Sequence, residues 1–377
     1  MISTLCMMEA SSMAGCVILL ILGILLVVKG GDWFVDAASW IAEVSGIPTF
    51  IIGATIVSLA TTLPEILLSS IAASQGSAGL AIGNAIGSVN CNIALIMAIS
   101  LLFIPATFKR KDYAAKMVLL LVAISVLWAV SATADGVVTW WEAIIVLVIF
   151  LAFMVENIWG AKKHASELLP AVEAPESVHN VEEKKPSALE KFGVLAYYVN
   201  KQNSKKITLK RSGMVIERKD IFKNVFLFIL GAGAIFVGAQ LMSDNGALFA
   251  TKLGMSEDLV GVTILAVGTS LPELVTTITA IAKKKSDLSI GNVIGANIID
   301  ITLILPLCSF ISKGELPISP QNMVLDFPFC LAVAGVAVIP ALIMGKFKRW
   351  QGALLLAGYV TYITLLVLNT TGTICIF

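Results

Sequence analysis

The chain has 377 residues, 58% of them hydrophobic and 14% charged, with a mean hydropathy of +0.92 and a net charge of +1. A soluble globular chain is nearer a quarter charged, so these values exclude an ordinary soluble enzyme or binding module and point to an integral membrane protein. The balance of charge gives no basis for a nucleic-acid partner, and six scattered cysteines without a CxxC pair argue against a disulfide framework or a zinc site.

A helix needs about 20 apolar residues to cross the bilayer core. Ten stretches meet that length: 17–43, 47–75, 79–104, 114–134, 138–158, 221–251, 257–282, 288–312, 323–344 and 350–371. No Lys or Arg precedes Lys29, so the basic start of a signal peptide is missing and the first span is expected to be retained. Lys29 and Asp32 in that span read as a structural pair near the membrane edge. The second span holds ATTLPEILLSS (60–70), with a proline and a carboxylate inside an apolar run, and the third opens with GNAIGSVNCN (83–92). Trp140 and Trp141, at the start of the fifth, read as an interfacial belt.

Residues 159–220 are rich in Glu, Lys, Pro and Ala, and their first part reads as a disordered linker. KKITLKRSGMVIERK (205–219) predicts a small hairpin around Ser212 and Gly213. His164 and His179 lie in this stretch and read as solvated loop residues; the spans contain no histidine. The seventh span holds GTSLPELVTT from Gly268, and the eighth GNVIGANIID (291–300). The expected division is 1–158 as a first five-helix unit, 159–220 as a linker and 221–377 as a second five-helix unit.

Basic residues set the expected orientation. Lys109, Arg110, Lys111 and Lys116, thirteen Lys and Arg from Lys162 to Lys223, Lys283 to Lys285, and Lys346, Lys348 and Arg349 all fall at odd-numbered loops. The positive-inside rule puts those loops, including 159–220, in the cytosol of a plasma or inner membrane and both termini outside.

The chain also repeats itself. GATIVSLATTLPEI (53–66) aligns with GVTILAVGTSLPEL (261–274) at seven identities in fourteen positions, and GNAIGSVNCN with GNVIGANIID. Both pairs share an offset of 208 residues, which also matches ILG at 21–23 with ILG at 229–231 and Asp36 with Asp244. Five spans per repeat is an odd number, so the two repeats must insert with opposite orientations. Inverted repeats with a site at their interface near the midplane are a secondary-transporter architecture. The fold class expected is therefore an all-α polytopic membrane protein of ten transmembrane helices in two inverted five-helix repeats.

Proline lacks an N–H, so Pro64 and Pro272 release the carbonyls near Ala60 and Gly268. A glutamate at the bilayer centre costs about 2.5–3.5 kcal/mol even on a lenient scale, which makes an intramembrane acid a functional candidate. A lone proline is usually only a kink, a lone glutamate can pair with Lys29, the GxxxG pairs serve close packing, and threonines often back-bond to their own helix. The duplicated coincidence of Pro, Glu and hydroxyls is harder to explain that way. Ser58, Thr61 and Glu65 at i, i+3, i+7 share a helix face, and Asn84, Ser88, Asn92 and Asn292, Ala296, Asp300 recur at four-residue steps. Carboxylates, hydroxyls and freed carbonyls are hard oxygen donors of the kind calcium takes, six to eight at a time. Glu65 and Glu273 would balance one divalent cation, and Asp300, whose mate Asn92 is neutral, adds a third acid.

At these residues the chain resembles the cation/calcium exchanger superfamily, most closely its prokaryotic sodium/calcium exchanger branch. ATTLPEILLSS with GNAIGSVNCN is similar to that family's first alpha-repeat, and GTSLPELVTT with GNVIGANIID to its second. The resemblance implies four core helices, spans two, three, seven and eight, around the ions, with spans one and six sliding against them. It implies alternating access in which sodium entry drives calcium out. By motif match it implies ion ligation at Thr61, Thr62, Glu65, Ser88 and Asn92 in the first repeat and Thr269, Ser270, Glu273 and Asp300 in the second, with backbone oxygens at Ser58 and Ala266. Ala296 departs from the family's usual serine and removes one side-chain oxygen. The expected cargo is calcium and sodium (or protons), with no cofactor and no obligatory protein partner beyond the lipid bilayer.

The alternative within the class is a proton/calcium or other divalent-cation exchanger, since a carboxylate carries a proton in place of sodium; the paired hydroxyls favour sodium. A channel and an intramembrane enzyme are weaker alternatives. The spans have no HExxH and no GxGD, so the protein is not expected to be an enzyme.

Overall fold

The computed structural model describes residues 13–45, 47–103, 110–133, 136–167, 197–199, 206–209, 215–252, 268, 270–370 and 373. The first repeat holds α1 (Met13–Ser45), α2 (Thr49–Thr61), α3 (Leu63–Ser74), α4 (Ala78–Phe103), α5 (Arg110–Thr133) and α6 (Trp140–Glu167). The second holds α7 (Arg218–Lys252), α8 (Leu271–Ala282), α9 (Ser286–Ile311), α10 (Asn322–Met344) and α11 (Arg349–Thr370).

Eight of these helices are long and apolar enough to span a membrane, and α2 with α3 makes a ninth, broken by 44°. The tenth expected stretch, 257–282, is described chiefly as α8; most of its first half lies outside the described residues. The span expected at 138–158 continues as helix to Glu167. Between the repeats, strands β2 (Tyr197–Val199), β3 (Lys206–Leu209) and β4 (Val215–Glu217) form an antiparallel sheet, so the expected hairpin is present and gains a third strand.

The repeat extends to element boundaries. Leu63–Ser74 and Leu271–Ala282 differ by 208 residues at both ends, as do Ala78–Cys91 and Ser286–Ile299. A π-turn follows each of the latter, beginning at Asn92 in one and at Asp300 in the other.

The inversion is visible where α1 crosses α7. A Cβ on Gly30 would meet Gly231 O at 2.9 Å and Ile235 N at 2.9 Å; one on Gly238 would meet Gly23 O at 2.7 Å and Val27 N at 2.9 Å. Shifting the first set of contacts by 208 residues yields the second. Numbers rise along α1 as they fall along α7, so the helices are antiparallel about a local twofold axis. At 33 and 35 residues and 1.5 Å per residue, each is about 50 Å long, well beyond a ~30 Å hydrocarbon core.

The loops sort by parity. Strand β1 (Val137–Val138), before α6, pairs with β5 (Leu316–Pro317), before α10, and Ser309 Oγ donates to Val138 O at 2.9 Å. Two even-numbered loops therefore share one side. On the other side Tyr113 Oη, at the start of α5, donates to Asp287 Oδ1 at 2.8 Å at the start of α9. Lys116 of α5 pairs with Glu156 of α6 and stands over the Phe50 ring of α2. Trp140 and Trp141 stack on each other at the start of α6, 45% and 62% exposed, as an interfacial belt would be.

Burial identifies the centre. α4 and α9 are 72% and 78% buried over their most apolar windows, whereas α6 and α7 are 22% buried. The middle of the molecule is thus built from the two helices that carry Asn92 and Asp300.

Candidate functional site

The α2–α3 helix changes direction by 44° just before its proline. Thr62, at φ −83° and ψ −4°, joins α2 to α3, and Ser270 precedes α8 in the same manner, at φ −89° and ψ 10°. Pro64 and Pro272 stand in the first two positions of the new helix, where a missing N–H leaves no hydrogen bond unmade. Glu65 and Glu273 therefore lie in the first turn of α3 and of α8, where the positive end of a helix dipole favours an anion. The proline breaks create two helix N-termini deep inside the protein and place one glutamate at each.

The residues singled out from the sequence converge. Ser58, Thr61, Thr62, Glu65, Ser88, Asn92, Ser270, Glu273 and Asp300 are each no more than 3% exposed. Thr62 Oγ1 donates to Glu273 Oε1 at 3.3 Å, joining the repeats, and Asn92 Nδ2 makes a long contact with Asp300 Oδ2 at 3.5 Å. The latter pair is separated by the repeat offset of 208 residues, so the local twofold axis runs between these two side chains. Thr269 and Ala266 lie outside the described residues.

Many of these oxygens have no partner. Glu65 Oε1 and Oε2, Ser88 Oγ, Asn92 Oδ1, Ser270 Oγ, Glu273 Oε2 and Asp300 Oδ1 are buried without a hydrogen bond to the described residues. None of the described ion pairs includes Glu65, Glu273 or Asp300; in particular Glu65 does not pair with Lys29, which is exposed. Buried acids without a paired base cost several kcal/mol each unless cations or protons neutralise them. Among the described residues no three His, Cys, Asp or Glu side chains form a ready-made metal cluster. Hydroxyl and amide oxygens must therefore complete any coordination shell, which suits cations that take hard neutral oxygens beside one or two carboxylates.

Two asparagines outside the predicted ligand set support it. Asn84 Nδ2 donates to Ser69 Oγ at 2.9 Å and to Glu65 O at 3.4 Å, tying α4 to α3. Asn292 Oδ1 accepts from Thr61 Oγ1 at 3.2 Å, tying α9 to α2. Their signal is in the sequence: Gly-Asn opens both GN motifs, at 83–84 and 291–292.

The core does not meet the α1–α7 pair symmetrically. A Cβ on Gly31 of α1 would lie 2.8 Å from Thr279 Oγ1 and 2.9 Å from Val275 Cγ1 of α8. The repeat mates of Val275 and Thr279 are Leu67 and Ile71, which are 54% and 52% exposed. A small cleft lies between Thr61 and Pro64 of the first break, Pro272 of the second, and Ile235 and Phe236 of α7. Among the described residues one end of the core is thus packed against the crossing pair while the other is not.

The packed end carries an electrostatic latch and a correction. Lys283 Nζ lies 2.8 Å from Asp36 Oδ1 and 3.3 Å from Asp32 Oδ1 and donates to Asp32 O at 3.0 Å, while Lys285 Nζ reaches Glu43 Oε1 at 3.4 Å. Asp32 is therefore paired with Lys283 and not with Lys29 as the spacing within α1 suggested. The α8 terminus brings a cation that satisfies two acids and a carbonyl at once. The repeat mate of Lys283 is Gln75, so the other end has no equivalent. Exposed ion pairs contribute at most about 1 kcal/mol each. Lys283→Gln is expected to raise the opening rate at this end roughly fivefold, read by amide hydrogen exchange over Ala280–Asp287; unchanged exchange would leave the Gly31 packing as the sole clasp.

Comparison with known proteins decides the class. The family model described as sodium/calcium exchanger protein matches residues 16–159 and 223–368. The chain belongs to the sodium/calcium exchanger family. It is 33% identical to the sodium/calcium exchanger MaX1 of Methanosarcina acetivorans over 93% of this chain and 97% of that protein. It is 31% identical to the inner membrane protein YrbG of Escherichia coli over 92% of this chain and 95% of that protein. Among solved structures it resembles the sodium–calcium exchanger NCX_Mj soaked with 2.5 mM Na+ and 10 mM Sr2+, at a TM-score of 0.71 and 26% identity, covering 94% of this chain and 99% of that one. The inverted ten-helix architecture and the placement of the paired acids in a multi-pass exchanger of this family follow from the same duplication.

Proposed function

We propose that the protein exchanges sodium for calcium across the membrane by alternating access, holding its cargo between the two breaks and the centres of α4 and α9. The observation that carries this reading is the set of buried oxygens around three acids that, among the described residues, have no hydrogen-bond partner and no neutralising basic side chain. Glu65 and Glu273 supply the charge that balances one calcium. Thr61, Thr62, Ser88, Asn92, Thr269 and Ser270, with Ser58 and Ala266, supply neutral oxygens. Asp300 adds charge on the axis. Sodium and calcium compete for the same acids, and competition at one site that faces one side at a time is what converts binding into antiport. An empty site with bare carboxylates is costly to close into a low-dielectric core, so the carrier crosses loaded.

The clustering of basic residues at odd loops supports a cytosolic placement of 159–220 as a linker between two units, 1–158 and 221–377, with both termini outside and calcium extruded across a plasma or inner membrane. The latch at Lys283 then lies on the cytosolic side, and the half-exposed Leu67 and Ile71 face the extracytoplasmic side.

The test is calcium uptake by proteoliposomes loaded with sodium and diluted into sodium-free buffer at equal pH. Uptake that follows the sodium gradient is expected. Uptake driven only by a pH gradient would assign proton/calcium exchange instead, and single-channel currents would assign a pore.

A further inference from the structure

The two glutamate-bearing helices are braced differently, although the repeat gives them the same partners. In the first repeat Ser69 of α3 accepts from Asn84 Nδ2 of α4 at 2.9 Å and donates to Ala81 O at 3.2 Å. The same amide donates to Glu65 O at 3.4 Å, so α4 holds the turn of α3 that carries Glu65. The 208-residue offset carries Ser69 to Thr277 of α8 and Asn84 to Asn292 of α9. The sequence thus supplies a hydroxyl and an amide at both places.

In the second repeat the brace is not made. Thr277 Oγ1 and Asn292 Nδ2 are both buried, and neither has a hydrogen-bond partner among the described residues. Asn292 uses its Oδ1 to accept from Thr61 Oγ1 of α2 at 3.2 Å. Interchanging the amide oxygen and nitrogen does not alter this, since neither atom bonds Thr277. Both residues are fully buried, and a buried donor and acceptor left unbonded cost free energy. α8 is held elsewhere, against Gly31 of α1 and by Lys283 on Asp32 and Asp36. Of two equivalent helices, the one braced to α4 exposes Leu67 and Ile71, and the one packed against α1 lacks its brace.

Resting on the exchange reading above, we propose that Ser69 and Thr277 are positioning residues that alternate: Ser69 bonds Asn84 in the state described here, and Thr277 bonds Asn292 when the site faces the other side. A chain with inverted repeats reaches its second state when each repeat adopts the conformation the other has now. In that state Asn292 leaves Thr61 and braces α8 to α9, while the bond between Asn84 and Ser69 opens. The two unpartnered atoms are the two ends of a bond that belongs to the other state. One brace forms as the other breaks, so the two states stay close in free energy and neither traps the carrier. The competing view is that Thr277 only packs, its methyl group filling space beside α9. That view leaves an Asn292 N–H without a partner in every state.

The experiment uses the full-length protein as wild type, Ser69→Ala, Thr277→Val, Thr277→Ser and the double variant Ser69→Ala/Thr277→Val. Amide hydrogen exchange over Ala280–Asp287 of the ion-free protein in nanodiscs reads opening of the end packed against α1. Thr277→Val removes a bond only from the other state, so exchange there is expected to slow about fivefold, the effect of one hydrogen bond. Ser69→Ala removes bonds only from the present state, so exchange is expected to quicken by at least about fivefold. Thr277→Ser keeps the hydroxyl and is expected to match the wild type. Sodium-driven calcium uptake in proteoliposomes gives the second readout. Each of Ser69→Ala and Thr277→Val is expected to lower the maximal rate by up to about fivefold by favouring one state. The double variant is expected to recover most of that rate, because it weakens both states alike. Amide shifts of the same sign in the two single variants overturn the proposal, as does unchanged exchange in Thr277→Val or a double variant in which the losses multiply. Amide exchange needs no cargo, so a wild type without sodium-driven uptake would overturn the exchange reading alone, and the opposite amide shifts would still decide the brace.

Discussion

Glu65→Gln and Glu273→Gln are each expected to lower sodium-driven calcium uptake by at least about 100-fold while the protein still inserts and folds. The substitution keeps shape and removes charge. Both oxygens of Glu65 lack a partner among the described residues, and Glu273 keeps only the Thr62 hydroxyl. Removing an unneutralised buried charge relieves a desolvation cost, so the melting temperature of the ion-free variants is expected to match or exceed that of the wild type. What the variants lose is the rise in melting temperature on adding calcium, since binding stabilises a folded state by RT ln(1 + [L]/Kd). A variant that kept both normal exchange and the calcium-induced rise would refute the placement of the site at the breaks. The two variants should behave alike, because the repeat places their carboxylates equivalently; a defect in only one would show that the twofold is structural and not functional.

Gly295→Ala is expected to destabilise the protein by roughly 2–3 kcal/mol and to abolish exchange, the upper range for overpacking a closed interior. The added Cβ would lie 2.6 Å from Ala54 O and 2.7 Å from Ala54 Cα, so it meets backbone that has no rotamer to change. Relief would require α9 to move away from α2, separating Thr61 from Asn292 and altering the whole half-site. The control is Gly335→Ala in α10, where the nearest atom is Ile339 Cδ1 at 3.7 Å. That change is expected to be neutral or stabilising by up to about 1 kcal/mol, because alanine is the better helix former. Thermal melting in detergent separates the two; equal melting temperatures would show that the α2–α9 approach is loose.

Much of the site is legible in the amino-acid sequence. The paired motifs around Glu65 and Glu273 and around Asn92 and Asp300 are local, and duplication doubles the signal. The fold places Leu63–Ser74 and Leu271–Ala282 at the 208-residue offset that the motifs themselves show. The proline breaks are legible because a missing N–H acts on its own helix. Asn84 and Asn292 stand on the predicted stripes, yet their role in bracing Ser69 and Thr61 depends on which helix lies opposite, and spacing along one helix carries no such information.

Asp32 shows the limit most clearly. Spacing within α1 offers Lys29 as partner, whereas Lys283, some 250 positions away, takes both Asp32 and Asp36. Exposed charges pair with whatever the tertiary fold brings near, and the energies involved are too small to leave a pattern in the chain. The one-sided packing of α1 and α7 is likewise not written in either motif: the repeat mates of Val275 and Thr279 are the apolar Leu67 and Ile71, and only the fold shows which pair lies against Gly31. Membrane insertion, span number, duplication and the identity of the paired acids follow from chemistry that each segment carries by itself: hydrocarbon excludes charge, and a helix in lipid must satisfy its own backbone. Which end is packed against the crossing helices and which oxygens stand without partners are decided by helices meeting across the twofold axis, because those contacts depend on distances that no single segment contains.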